Sequence, residues 1–120
     1  MGVLVVDDEI SVADALGMIL RDNGYDVAVA LTGRDALSKA DSQRFDVTIT
    51  DLRLPDMSGL DVLSYIKKKD PAGLVIIITA HSTPEANAEL KSLGAYEVLS
   101  KPFHPSDVLT LISSGLNREI

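Results

Sequence analysis

The chain has 120 residues, no cysteine, and a formal charge of −7 from 11 basic and 18 acidic side chains. That length suits one domain spanning 1–120, large enough to bury a core without disulfides, and a hydrophobic share of 46% excludes a disordered chain. So acidic a compact surface repels nucleic-acid phosphates and anionic lipid, which argues against direct DNA or RNA binding.

Five short runs rich in Val and Ile alternate with longer amphipathic stretches. The first run, Val3 to Val6, is continuously apolar and stops at Asp7-Asp8. It has no signal-peptide form, and even the longest apolar run, Leu74 to Ile78, is far too short to span a bilayer. The stretch after it carries Val12, Leu16, Ile19 and Leu20 at helical spacing and stops at Asn23-Gly24. Val27 to Ala30 is the second strand. Thr32-Gly33-Arg34-Asp35 has the form of a capping box for a second helix that buries Ala36, Leu37 and Ala40. Val47-Thr48-Ile49-Thr50 alternates, which predicts a third strand with one face less deeply buried.

A second capping box, Ser58-Gly59-Leu60-Asp61, opens the third helix, which runs through Leu63 and Ile66 to Asp70-Pro71. Leu74 to Ile78 is again continuously apolar, as expected of a central parallel strand covered on both faces. Thr83-Pro84 opens the fourth helix, which stops at Gly94. Tyr96 to Leu99 is the fifth strand, and the fifth helix starts near Pro105 with Val108, Leu111, Ile112 and Leu116 on its apolar stripe. Five successive βα units imply an α/β fold: a doubly wound parallel sheet whose ligands bind beyond the carboxyl ends of the strands.

The residues at those strand ends carry the chemistry. They are Asp7, Asp8 and Glu9 after the first strand, Asp51 after the third, Thr79 after the fourth, and Ser100-Lys101-Pro102 at the end of the fifth. A parallel sheet gathers them on one edge. Two carboxylates about 4 Å apart repel by roughly 4 kcal/mol at an effective dielectric near 20. One lysine cannot neutralise three aspartates, whereas a divalent cation can. Magnesium suits a site of few carboxylates that also meets phosphate oxygens. A carboxylate beside such a metal can act as a nucleophile toward phosphorus. Taken singly, each residue also has a plain structural reading: a cap, a turn hydroxyl or a solvated charge. The combination carries the argument.

Val5-Val6-Asp7-Asp8-Glu9, Asp51-Leu52-Arg53-Leu54-Pro55-Asp56-Met57-Ser58-Gly59, Ile78-Thr79-Ala80, Gly94-Ala95 and Lys101-Pro102-Phe103 together resemble the receiver domains of bacterial two-component response regulators. The resemblance covers essentially the whole chain and implies the flavodoxin-like strand order 2-1-3-4-5. It implies that Asp51 accepts a phosphoryl group from a sensor histidine kinase. Asp7 and Asp8 would hold magnesium together with Asp51 and the backbone carbonyl of Arg53, and Thr79 and Lys101 would bind the phosphoryl oxygens. It also implies a cis bond before Pro102, and a modulating role for Arg53 and His81 in the lifetime of the aspartyl phosphate.

The family's switch pairs the Thr hydroxyl with an aromatic side chain on the fifth strand; here that position is Val98. Tyr96, two residues earlier and on the same face by alternation, reads first as a plain packing residue and only second as a substitute for the missing aromatic. Further implications are a cytoplasmic location, transcriptional output through a domain absent from this chain, and a homodimer through the fourth helix, fifth strand and fifth helix. Thr79-Ala80-His81-Ser82-Thr83 and Gly94-Ala95-Tyr96 are most similar to receivers of nitrogen-regulator-type activators. Two other readings stay open: an aspartate-nucleophile phosphohydrolase, which would want an acid where Arg53 stands, and a binding module that is never phosphorylated.

Overall fold

The computed structural model describes residues 1–117, so the last three positions of the expected 1–120 domain lie outside the described residues. Five strands and five helices alternate strictly: β1 (Gly2–Val6), α1 (Ile10–Asp22), β2 (Asp26–Ala30), α2 (Gly33–Ser42), β3 (Val47–Asp51), α3 (Gly59–Lys69), β4 (Leu74–Thr79), α4 (Pro84–Ser92), β5 (Glu97–Ser100) and α5 (Pro105–Asn117). The strands form one parallel sheet in the order β2-β1-β3-β4-β5. The continuously apolar runs in β1 and β4 are interior strands, as their composition requires.

Alternation along each strand sends side chains into two apolar layers. Leu4, Val6, Val75 and Ile77 pack with Ala36 of α2, Val62, Leu63 and Ile66 of α3 and Leu90 of α4. Val3, Val5, Ile49, Ile76 and Ile78 pack with Ala13, Leu16 and Leu20 of α1 and Val108 and Ile112 of α5. Each fully buried Leu or Ile contributes about 1.5–3 kcal/mol relative to exposure. Helices α1 and α4 end before Gly24 (φ 89°) and Gly94 (φ 115°), whose left-handed backbone stops the helix at little steric cost.

The structure corrects three local expectations. The alternating β3 has no half-exposed face: Thr48 and Thr50 are 1% and 0% exposed. Helices cover both sides of this strand, and the Thr50 hydroxyl satisfies itself by donating to the Asp51 carbonyl at 3.0 Å. The box at Thr32–Asp35 forms only on one side. Thr32 Oγ1 accepts from the Asp35 N–H at 3.1 Å, but the Asp35 carboxylate accepts from Lys39 instead. The first amides of α2, on Gly33 and Arg34, donate to Asp56 at 2.8 and 3.0 Å. The box at Ser58–Asp61 forms in both directions.

The third correction concerns Tyr96. It precedes β5, which begins at Glu97, and it packs in the layer of α1 and α5, while Val98 packs in the layer of α2, α3 and α4. The strand's alternation does not reach Tyr96, so the two side chains lie on opposite sides of the sheet.

Candidate functional site

The carboxyl ends of β1, β3, β4 and β5 open into a hollow of about 270 Å³ lined by Asp8, Glu9, Asp51, Arg53, Thr79, Ala80, His81 and Lys101. Its position follows from the sheet order: β1 and β3 are neighbours, and the chain winds away from them in opposite directions. Asp51, the last residue of β3, is 7% exposed. Its Oδ1 accepts from the Arg53 N–H at 3.1 Å, and its Oδ2 accepts from Lys101 Nζ at 2.7 Å. Gly59, opening α3, allows this arrangement. A Cβ there would stand 2.4 Å from the Asp51 carbonyl oxygen, so no other residue fits without moving the backbone of β3.

Asp7 is buried beside Asp51, with Oδ1 accepting from the Glu9 N–H at 2.9 Å. Its Oδ2 is sealed from water with no hydrogen-bond partner; the closest cation, Lys101 Nζ, lies 3.6 Å away. Burial pushes the Asp7 carboxyl above its ordinary range, against the Glu9 N–H and the Lys101 charge, and the Asp51 charge adds to the rise. Asp8 is exposed at the rim. Oxygens of Asp7, Asp8 and Asp51 all lie within 4.8 Å of one another, the only such acidic trio among the described residues. An unpaired buried carboxylate oxygen within such a trio is a position where a small hard dication fits.

Among the described residues Lys101 is the one ammonium that faces this charge, and it serves three carboxylates: Asp51 at 2.7 Å, Glu9 at 3.3 Å and Asp7 at 3.6 Å. Burial alone would lower its pKa. The hydrogen bond to Asp51 and the charges of Asp7 and Asp51 outweigh that and hold it well above the ordinary lysine range. Its main chain is fixed too, since the Lys101 N–H donates to the Thr79 carbonyl at 2.9 Å. The Lys101-Pro102 bond is cis. Thr79 is 4% exposed, and its Oγ1 accepts from the His81 N–H at 3.1 Å.

The structure therefore brings Asp7, Asp8, Asp51, Thr79 and Lys101 to one edge and puts Arg53 and His81, both exposed, on the rim of the same hollow. Val98 and Tyr96 lie outside it. Sequence reasoning named two participants without giving them a role. Glu9 shares the Lys101 ammonium, and Asp56 ties the loop after Asp51 to the start of α2. Glu9 stood in plain view beside Asp8, whereas the partners of Asp56 lie 22 and 23 residues upstream, with no local signal.

Comparison with known proteins places this geometry. The chain is 43% identical over 114 residues to the transcriptional regulatory protein ZraR of Escherichia coli K12, covering 95% of this chain and 26% of that one. It spans about a quarter to a half of the length of the curated relatives it matches. Among solved structures, the CheY-like response regulator receiver domain protein from Methanospirillum hungatei superposes with a TM-score of 0.91 at 31% identity, covering 98% of this chain and 94% of that one. The beryllofluoride-activated NtrC4 receiver domain dimer gives a TM-score of 0.91 at 36% identity, covering 98% and 97%. With residues 3–113 matching the model of the response regulator receiver domain, the chain belongs to that family.

Proposed function

We propose that Asp51 is the phosphoacceptor of this receiver domain. A carboxylate oxygen of Asp51 attacks the phosphorus of a phosphohistidine on a sensor histidine kinase. The P–N bond breaks, and its electron pair leaves with the imidazole, which takes up a proton. The observation that carries this reading is Lys101 Nζ at 2.7 Å from Asp51 Oδ2, inside a hollow also lined by Thr79 and Asp8, with the Asp7 carboxylate within 4.8 Å of both acids.

Lys101 turns its charge toward the incoming phosphoryl oxygens and Thr79 donates its hydroxyl to another, so developing negative charge meets fixed donors. Asp7, Asp8, Asp51 and the Arg53 carbonyl hold Mg2+, which when bound offsets carboxylate repulsion and phosphoryl charge. Arg53 and His81, on the rim, set water access to the aspartyl phosphate and hence its lifetime. The domain itself is a switch rather than an enzyme acting on a separate substrate. Phosphorylation shifts an inactive/active equilibrium.

The printed functions of the relatives, transcriptional regulation above all, support a transcriptional output from a further domain. The NtrC4 receiver dimer supports a homodimer, here through the face of α4, β5 and α5. No described helix is long and apolar enough to cross a membrane, and a cytoplasmic site of action fits a kinase partner. The single receiver domain is taken to occupy 1–120. The test is intact mass after incubation with Mg2+ and acetyl phosphate. The expected result is one labile phosphoryl adduct, absent without Mg2+ and absent in Asp51→Asn. An adduct that persists in Asp51→Asn overturns the assignment.

A further inference from the structure

The attachment of α4 is unusual in this molecule. Of its nine residues only Leu90 is buried. Its N-terminus is closed by Thr83, whose Oγ1 accepts from the Ala86 N–H at 3.1 Å. One turn further in, Asn87 Nδ2 donates to Ser82 Oγ at 2.7 Å, while Asn87 Oδ1 is sealed from water with no partner. A buried amide that uses its donor and leaves its acceptor unpaired makes the resting arrangement less stable than one that pairs both. The orphan lies one turn before Leu90, the helix's only buried residue.

The loop that reaches Asn87 begins at the site. Thr79 Oγ1 accepts from the His81 N–H at 3.1 Å, and Ser82 follows directly. A threonine hydroxyl that gives its proton to a phosphoryl oxygen keeps lone pairs for this N–H. The turn 79–82 therefore moves with the Thr79 side chain, and Ser82 carries its bond to Asn87 along. β5 touches α4 through Lys91, whose ammonium pairs with Glu97 at 2.7 Å, but the hydrogen bond of the Thr79 hydroxyl runs to the His81 N–H and to neither of these side chains. Val98 packs by apolar contact in the layer of Ile77, Leu90 and Ala95, and Tyr96 belongs to the opposite layer.

We infer that Asn87, through its hydrogen bond to Ser82, is the positioning residue that conveys engagement of Thr79 to α4 in this chain. The inference rests on the phosphoacceptor reading of Asp51 and adds the route by which occupancy leaves the site. The switching element is α4, lightly packed and carrying one unpaired acceptor, and Ser82–Asn87 is its handle.

The test measures two quantities on the whole chain treated with Mg2+ and beryllofluoride: occupancy of Asp51, by fluorine NMR, and amide exchange of residues 84–93. The expected result is a change in exchange on binding for the wild type, and loss of most of that change in both Asn87→Leu and Ser82→Ala at equal occupancy. Ser82→Thr, which keeps the hydroxyl, restores it. Ser82→Ala, a truncation in a half-buried loop, serves if Asn87→Leu does not fold. A full response of 84–93 in Ser82→Ala at wild-type occupancy overturns the inference while leaving the site reading intact. A wild type that binds no beryllofluoride at Asp51 overturns both.

Discussion

The ammonium of Lys101 lies 2.7 Å from Asp51 Oδ2, across a separation of fifty residues in sequence, and both side chains are largely withdrawn from water at 19% and 10% exposure. The pair is a charge balance as well as a hydrogen bond. Asp7 and Glu9 lean on the same ammonium, so one positive charge serves three negative ones.

Removing that ammonium leaves the acids uncompensated. Lys101→Met should lower stability in the absence of metal by about 1–3 kcal/mol, less than a fully buried pair would because the site opens to solvent. Urea unfolding with and without Mg2+ measures this, and Mg2+ should recover part of the loss. Adduct formation from acetyl phosphate should fall by about 10²-fold, the usual cost of losing one preorganised donor to transferred negative charge. Unchanged adduct formation would remove Lys101 from the phosphoryl site.

Asp7 gives the opposite sign. Its buried Oδ2 has no hydrogen-bond partner, and burial together with Asp51 disfavours its charge. Asp7→Asn keeps an acceptor for the Glu9 N–H and removes a charge. It should raise metal-free stability by about 1 kcal/mol, a few degrees in Tm for a domain this size. The wild type should gain stability with Mg2+ as RT ln(1 + [L]/Kd), and the variant should lose most of that gain. Thermal melts across a Mg2+ series decide it. A wild type indifferent to Mg2+ would refute the account of the acidic trio.

At the amino end of β3, Asp46 should give stability a pH dependence that owes nothing to the site. Burial alone would raise its pKa, but the Gly2 N–H at 3.0 Å and Arg44 at 2.5 Å hold the carboxyl below its usual range. With the folded value depressed below an unfolded value of about 3.9, the stabilisation is complete above that pH and is lost as pH falls through the folded value. Asp46→Ala should therefore cost about 1 kcal/mol near neutrality, with the gap from wild type closing as pH falls below the unfolded value and through the depressed folded one. Denaturant midpoints at several pH values test the sign.

Gly59 offers a steric test. Its substitution by Ala sets a Cβ 2.4 Å from the Asp51 carbonyl and 2.9 Å from Leu52 Cα, both backbone atoms that cannot swing aside. Gly59→Ala should destabilise the domain by about 1–3 kcal/mol. It should also slow adduct formation at Asp51, because relief requires β3 or α3 to shift. Gly24→Ala, where nothing lies within 4 Å of the added Cβ, separates backbone strain from this crowding. Its adduct formation should match the wild type.

Much of this was legible in the residues because the informative ones stand at strand ends. Once β-branched runs mark the strands, Asp7, Asp51, Thr79 and Lys101 must converge, whatever the helices do. What escaped depended on partners or layers the local pattern does not encode. Thr48 and Thr50 suggested a wet face because they alternate with Val47 and Ile49; helices on both sides and a hydroxyl turned onto the backbone removed it. Tyr96 was given the face of Val98 by counting two residues back, but the strand starts one residue later and the count fails. Asp35 looked like the second half of a cap, but its carboxylate pairs with Lys39, and Asp56, from a loop far along the chain, takes the next two amides, on Gly33 and Arg34.

The bond from the Lys101 N–H to the Thr79 carbonyl has a consequence for how such a module diversifies. The two positions whose side chains are proposed to bind the phosphoryl group are fastened through their peptide groups, which every residue but proline possesses in full. Exchanging either side chain leaves that fastening in place. Side chains and scaffold are thus separable here: the rim residues can be exchanged while the architecture beneath them stays as it is.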